Sequence, residues 1–344
     1  MPEISEVRTV KVEEENLYEV ADRSSFNIKG RDYKPAVQQV LHHSKNAVIA
    51  RLKPGVVLKH SRYDWWNHPE SMSSEQVKDA RHAFRVELAI LRHLGEHPRT
   101  IQFLSIHEPQ GLLFAEAEFG SLQAYIDDHF HSMSAQEKMA FRLQASEAVA
   151  FIHSKGIIHS DLRPDNLLVC SGRDGTRSLR LCDFGGSTYG DLDGGHLPDA
   201  GFFDPRKPWV ATAQTDIFAL ASVLYTIMTG HWPHRERGDE RDLEQYRTDV
   251  DQLFAQSVFP PVVHLEGGEI IYDAWTDGYN SAKDIVRDHE RMMAIILRDG
   301  PEEDEVDQDG MVEAQGQHGM TIWVAGALIV GYLVAVRFVQ RRDT

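Results

Sequence analysis

Ile158-His159-Ser160-Asp161-Leu162-Arg163-Pro164-Asp165-Asn166-Leu167-Leu168-Val169, with Leu181-Cys182-Asp183-Phe184-Gly185 a turn later, says more about architecture than any other part of this chain. Each segment is apolar where a buried strand or its approach belongs and polar at the bend. Together they set two carboxylates, an amide and a guanidinium beside one another. A metal–nucleotide site needs hard oxygen ligands for Mg²⁺ and a base for an attacking hydroxyl. Asp183 and Asn166 can supply the ligands, and Asp161 the base.

The 344 residues leave room for one two-lobed domain plus extensions. A hydrophobic share of 42% is enough for a core and excludes global disorder. The net charge of −17 argues against nucleic acid as the main partner. The two cysteines, Cys170 and Cys182, form neither a disulfide framework nor a metal cluster, so a reducing compartment is expected. Met1 to Glu6 is acidic without an apolar run, so no signal peptide is read there.

The two segments resemble the catalytic and metal loops of eukaryotic protein kinases, HRDLKPEN and DFG. The resemblance covers roughly residues 37–298 and implies an α+β, bilobed protein-kinase-like fold. Its small β-rich lobe carries one helix and ends near residue 117, and its larger, mostly helical lobe begins near 118. Upstream, Ala47-Val48-Ile49-Ala50, the turn Lys53-Pro54-Gly55 and Val56-Val57-Leu58-Lys59 read as strand, turn, strand. Lys59 closes an apolar strand as the phosphate-holding lysine of VAIK does. Ser74 to Leu94 has a helical apolar period, and Glu87 within it resembles the glutamate that pairs with that lysine. The resemblance makes Lys59, Glu87, Asp161 and Arg163 catalytic, with Arg163 steadying the transferring phosphoryl group. Asn166 and Asp183 become the metal ligands, and the cofactors are ATP and Mg²⁺. Val48, Val57 and Leu168 would enclose the adenine. The hinge, Glu116 to Glu118, would read it through the Glu116 and Ala117 backbone, with Ala115 as a small gatekeeper.

The sequence departs from the family in three places. Leu41, His43 and Asn46 stand where the phosphate-binding loop has its three glycines, whose lack of Cβ lets backbone N–H groups approach phosphate. Ser160 replaces the arginine that grips a phosphorylated activation segment, so switching by loop phosphorylation is not expected. Asp204-Pro205-Arg206 replaces the closing APE triplet, and near Trp275, where the glutamate's arginine partner belongs, stand Asn280, Ser281 and Ala282. Both members of that ion pair are expected to be absent. Thr215 to Tyr225 resembles helix F, whose aspartate, here Asp216, braces the catalytic loop.

Residues 1–36 read as an extension, and 60–74 hold a polar-aromatic insertion. Asp299 to His318 is an acidic linker. Residues 319–336 carry no charge and are almost wholly apolar; as a helix they would rise roughly 26 Å, close to the ~27 Å core of an endoplasmic reticulum bilayer. A basic tail, 337–344, stops the run. This resembles a tail anchor in the endoplasmic reticulum or mitochondrial outer membrane, leaving the catalytic domain in the cytosol. Ala327, Gly331 and Ala335 could pair two such spans into a homodimer. The expected activity is ATP-dependent phosphorylation of a protein Ser/Thr hydroxyl. The alternatives are a pseudokinase scaffold for a membrane-proximal protein partner and, more distantly, a small-molecule phosphotransferase.

Overall fold

The computed structural model describes residues 37–44, 47–62, 75–107, 111–172, 174–236 and 238–298. The extension 1–36, Lys45 and Asn46, residues 63–74 of the insertion, the acidic linker, the apolar run 319–336 and the basic tail lie outside the described residues. Among the described residues no helix is long and apolar enough to cross a membrane.

Five antiparallel strands build the small lobe: β1 (Gln39–His43), β2 (Ala47–Lys53), β3 (Val56–Ser61), β4 (Phe103–His107) and β5 (Gly111–Ala115), in the order β1-β2-β3-β5-β4. The β2–β3 turn needs Gly55, whose φ of 78° is a left-handed corner that side chains disfavour. Helix α1 (Glu75–Leu94) buries Val86, Ile90, Leu91 and Leu94 in the core that Leu112 and Phe114 also enter.

Two expectations change here. Leu41, His42 and His43, read as part of a phosphate-binding loop, belong to β1, an exposed strand whose pairing with β2 shifts register between Val40 and His42. The gatekeeper is not Ala115. Strand alternation buries Phe114, opposite Val57 and edge-on to Phe103 at 6.0 Å, whereas Ala115 is half-buried. A bulky ring fills the place where the sequence suggested an open back pocket.

The larger lobe is built from α2 (Leu122–His129), α3 (Ala135–Ser154), α4 (Ala213–Thr229), α5 (Leu243–Ala255), α6 (Gly268–Trp275) and α7 (Ala282–Arg298). Two small sheets join them: the hairpin β7 (Leu167–Ser171) with β8 (Arg177–Leu181), and β6 (Ile157–Ile158) with β9 (Thr188–Tyr189) and β10 (Leu192–Asp193). Helix α4 runs through the core, as its apolar composition predicts, buried continuously from Thr215 to Ile227. Thr212 and Thr215 close a capping box at its start, and Gly230 ends it at φ 80°. Trp275 packs against Tyr225, Phe254 and Phe259, and its indole N–H donates to Ser222 Oγ at 3.0 Å.

His289 on α7 is almost fully buried, and its Nε2 has no hydrogen-bond partner. Burial, reinforced by the Arg142 cation, pulls its pKa down to about 3. The folded state therefore holds a neutral ring that the unfolded chain would protonate. Its stabilising contribution is complete above the unfolded value near 6.5 and is lost as pH falls from there toward 3. Replacing His289 by Leu should flatten this acid slope. Urea unfolding at pH 7 and pH 5 should show wild type losing roughly 2 kcal/mol more than the variant.

Candidate active site

Lys59 lies on β3, one face of the sheet turned toward α1, and its ammonium sits between two carboxylates. Nζ is 2.6 Å from Glu87 Oε2 and 2.7 Å from Asp183 Oδ1. Helix periodicity puts Glu87 on the buried side of α1 with Val86 and Ile90, and only 2% of it is exposed. Asp183 reaches the pair because its backbone is left-handed, at φ 63°, immediately before the turn Phe184–Gly186. That conformation is uncommon outside glycine and marks a position held by its surroundings.

Burial disfavours the Lys59 charge, but Asp183 and Glu87 outweigh it and raise the pKa above the ordinary lysine value. Burial raises Glu87, an effect only partly offset by Lys59. Lys59 holds Asp183 below the usual carboxylate range. The ammonium thus favours ionised Asp183, the form a metal ligand requires.

The catalytic loop is organised from below by Asp216 of α4, which is fully buried. Its carboxylate accepts the N–H groups of His159 at 2.7 Å and Ser160 at 2.9 Å, and meets His153 Nε2 at 2.9 Å. Those bonds hold Ser160 at φ 65°. His159 spans the two motifs: Nε2 bonds Cys182 O at 3.0 Å, and Nδ1 accepts the Asp161 N–H at 3.3 Å. The bracing expected of Asp216 is therefore present in atomic detail.

Asn166 uses both amide hydrogens on Asp161, giving one to the backbone carbonyl (2.7 Å) and one to Oδ2 (2.9 Å). Its own oxygen is left as the atom it can offer a cation. Asp161 Oδ1 is buried with no hydrogen-bond partner, and burial raises the group's pKa against the opposing pull of His196. Lys59 faces Glu87 and Asp183 while Arg163 acts on Asp161, two cations against three carboxylates. A divalent cation with hard oxygen ligands fits both this surplus of negative charge and the side-chain oxygens of Asn166 and Asp183. Asp183, Asn166 and Lys59 are the residues that would hold Mg·ATP.

The other expected site residues lie outside this cluster. Arg163 donates to Asp199 of the activation segment at 2.6 Å. Glu116 accepts both Arg51 Nε (2.7 Å) and Nη2, as well as Gly55 N–H (3.1 Å). Its own N–H is given to Gly55 O at 3.0 Å, clipping the β2–β3 turn to the hinge. Further along the hinge, the Ala117 carbonyl accepts the Gly120 N–H at 3.3 Å. Val48 on β2 and Val57 on β3 are buried, and Leu168 on β7 is half-buried and bridges Ser121.

A tie made by other residues stands where the family's ion pair is missing. Arg206 is held by Asp204 and donates to Trp275 O at 2.8 Å, while Lys207 bonds Asp277 at 2.6 Å. The cations are on the segment and the acceptors at the end of α6.

Sequence reading passed over His196 and Asp199. His196 Nδ1 is 3.7 Å from Asp161 Oδ1, and its Cβ packs where Gly186 has none; a Cβ at Gly186 would lie 2.5 Å away. The Gly/Asp-rich stretch that holds both residues has no helical or strand period. No sequence signal points to them, because only the fold brings them to the catalytic loop.

Comparison with known proteins agrees with this geometry. The protein kinase domain family matches residues 70–289. The mouse (Mus musculus) phosphorylase b kinase gamma catalytic chain, liver/testis isoform, is 28% identical over 184 residues, 49% of this chain and 44% of that protein. Human (Homo sapiens) ribosomal protein S6 kinase alpha-3 is 25% identical over 225 residues, 61% of this chain and 28% of that protein. CBL-interacting protein kinase 22 of Oryza sativa subsp. japonica is 27% identical over 192 residues, 49% and 41% of the two chains. The chain thus spans less than half the length of these curated relatives.

Asp216→Ala would leave the buried His159 and Ser160 N–H groups without an acceptor. Chemical denaturation should show a loss of about 3 kcal/mol or more.

Proposed function

The chain belongs to the protein kinase domain family, and from that premise we propose that it is an active protein serine/threonine kinase tethered to a membrane. The observation that carries the catalytic part is Lys59 held between Glu87 and Asp183 while Asn166 fixes Asp161. When bound, Mg·ATP supplies the transferable phosphoryl group and the charge that balances the site. The chain's own residues do the rest. Lys59 draws α1 and the Asp183 turn together and presents an ammonium to the phosphates. Asn166 orients the Asp161 carboxylate through Oδ2, leaving Oδ1 to accept or orient the proton of a protein hydroxyl. The relatives, a phosphorylase b kinase chain and a ribosomal protein S6 kinase among them, support a protein as acceptor.

A second reading, a pseudokinase that binds partners without turnover, draws on one feature: Leu41, His42 and His43 in place of a glycine loop. Loss of backbone N–H contacts to phosphate weakens nucleotide binding without removing the chemistry at Asp161. The tether is the uncharged run 319–336, with the endoplasmic reticulum or mitochondrial outer membrane as its proposed location and the kinase domain in the cytosol. Its Ala327, Gly331 and Ala335 stripe is the proposed contact for a second copy.

Asp161→Asn should reduce phosphoryl transfer to a protein substrate by about 10² or more while leaving Mg·ATP affinity within a few-fold. Equal turnover by the two proteins would refute the assignment of Asp161 as base. For the tether, full-length protein should stay with the membrane pellet after alkaline carbonate washing. A chain lacking 319–336 should be released; pelleting of both would remove that run as the anchor.

A further inference from the structure

Asp199 sits at the meeting point of three elements. Its Oδ2 accepts Arg163 Nη1 of the catalytic loop at 2.6 Å, and Oδ1 lies 3.7 Å from Arg247 Nη2 of α5. Its carbonyl accepts the Phe202 N–H at 2.9 Å, turning the segment inward. Next to Arg247, buried Tyr246 presses its hydroxyl against Gly201, where a Cβ would lie 2.3 Å from the oxygen and φ is 87°. Helix α5 therefore grips the segment at two points, through charge at Asp199 and close packing at Gly201.

The sequence between Asp183 and Arg206 contains only three hydroxyl residues, Ser187, Thr188 and Tyr189, and none from Gly190 onward. Ser187 is buried and donates to His159 O at 2.9 Å. Tyr189 is engaged with His93 at 3.0 Å. From Gly190 to Arg206 the segment holds no hydroxyl that could take a phosphate, and a carboxylate stands against Arg163 instead. With one charge-assisted bond from Arg163 and a longer ion pair to Arg247, this carboxylate supplies the negative charge that a phosphate would otherwise bring.

We propose that Asp199 is a positioning residue that replaces activation-segment phosphorylation, holding residues 190–203 and Arg163 in place through Arg163 and Arg247. This rests on the kinase reading above. The segment is thereby set without modification, and Arg163 is kept beside Asp161 rather than free in solvent.

The test uses phosphatase-treated full-length protein as wild type, Asp199→Asn, Asp199→Glu and Arg247→Gln. Hydrogen exchange across 190–203 should accelerate about tenfold in Asp199→Asn, less in Arg247→Gln, and stay near wild type in Asp199→Glu. Turnover of a protein substrate should fall about tenfold in kcat for Asp199→Asn, with KM for ATP within about twofold and recovery in Asp199→Glu. Wild-type activity should withstand the phosphatase. Unchanged exchange in Asp199→Asn overturns the clasp, and so does loss of wild-type activity on phosphatase treatment. If wild type shows no thermal shift with Mg·ATP, the kinase reading fails, and exchange alone still decides for or against the clasp.

Discussion

A buried ammonium between two carboxylates is the constraint on which the rest of this structure depends. Lys59 reaches Glu87 only if α1 presents its Glu87 face to the sheet, and reaches Asp183 only if that residue takes a left-handed backbone. Removing Lys59 would leave the buried Glu87 carboxylate without its partner, a larger cost than the net value of the pair. The arrangement therefore couples three distant parts of the chain: the middle of β3, the middle of α1 and the turn after β8. It also leaves the site with more negative than positive charge, which a divalent cation and a nucleotide phosphate can exploit together.

Asp216 is the corresponding anchor in the larger lobe. It lies in a helix so apolar that a carboxylate there is tolerated only because three donors meet it. Two of those donors are consecutive backbone N–H groups, so the carboxylate dictates the shape of the catalytic loop rather than the position of a single side chain. Arg206 and Lys207 tie the segment to the end of α6 through a backbone carbonyl and Asp277, residues other than those of the family's ion pair.

Most of this was legible in the sequence, for a physical reason. Lys59, Glu87, Asp161, Asn166, Asp183 and Asp216 were found through the resemblance to kinase motifs, and the apolar period around Lys59, Glu87 and Asp216 places those three on a strand or helix. Where that periodicity fails, reading fails. β5 is too short and too uniformly apolar to fix its inward face, so Ala115 was a natural choice of gatekeeper where alternation buries Phe114. The Gly/Asp-rich segment 190–201 has no period at all, and the roles of His196 and Asp199 follow only from folding back onto the catalytic loop. The resemblance gives Arg163 to the transferring phosphoryl group, but it could not reveal that Asp199, 36 residues later, holds it.

The central claim is that the Lys59 arrangement preserves a metal-dependent nucleotide site although the phosphate-binding loop has lost its glycines. Titration calorimetry of the full chain with ATP, with and without Mg²⁺, tests it most directly when repeated on Asp183→Ala. The account predicts metal-dependent binding in the wild type and its loss in the variant. Wild-type binding that is absent, or is the same with and without Mg²⁺ and in Asp183→Ala, would contradict it.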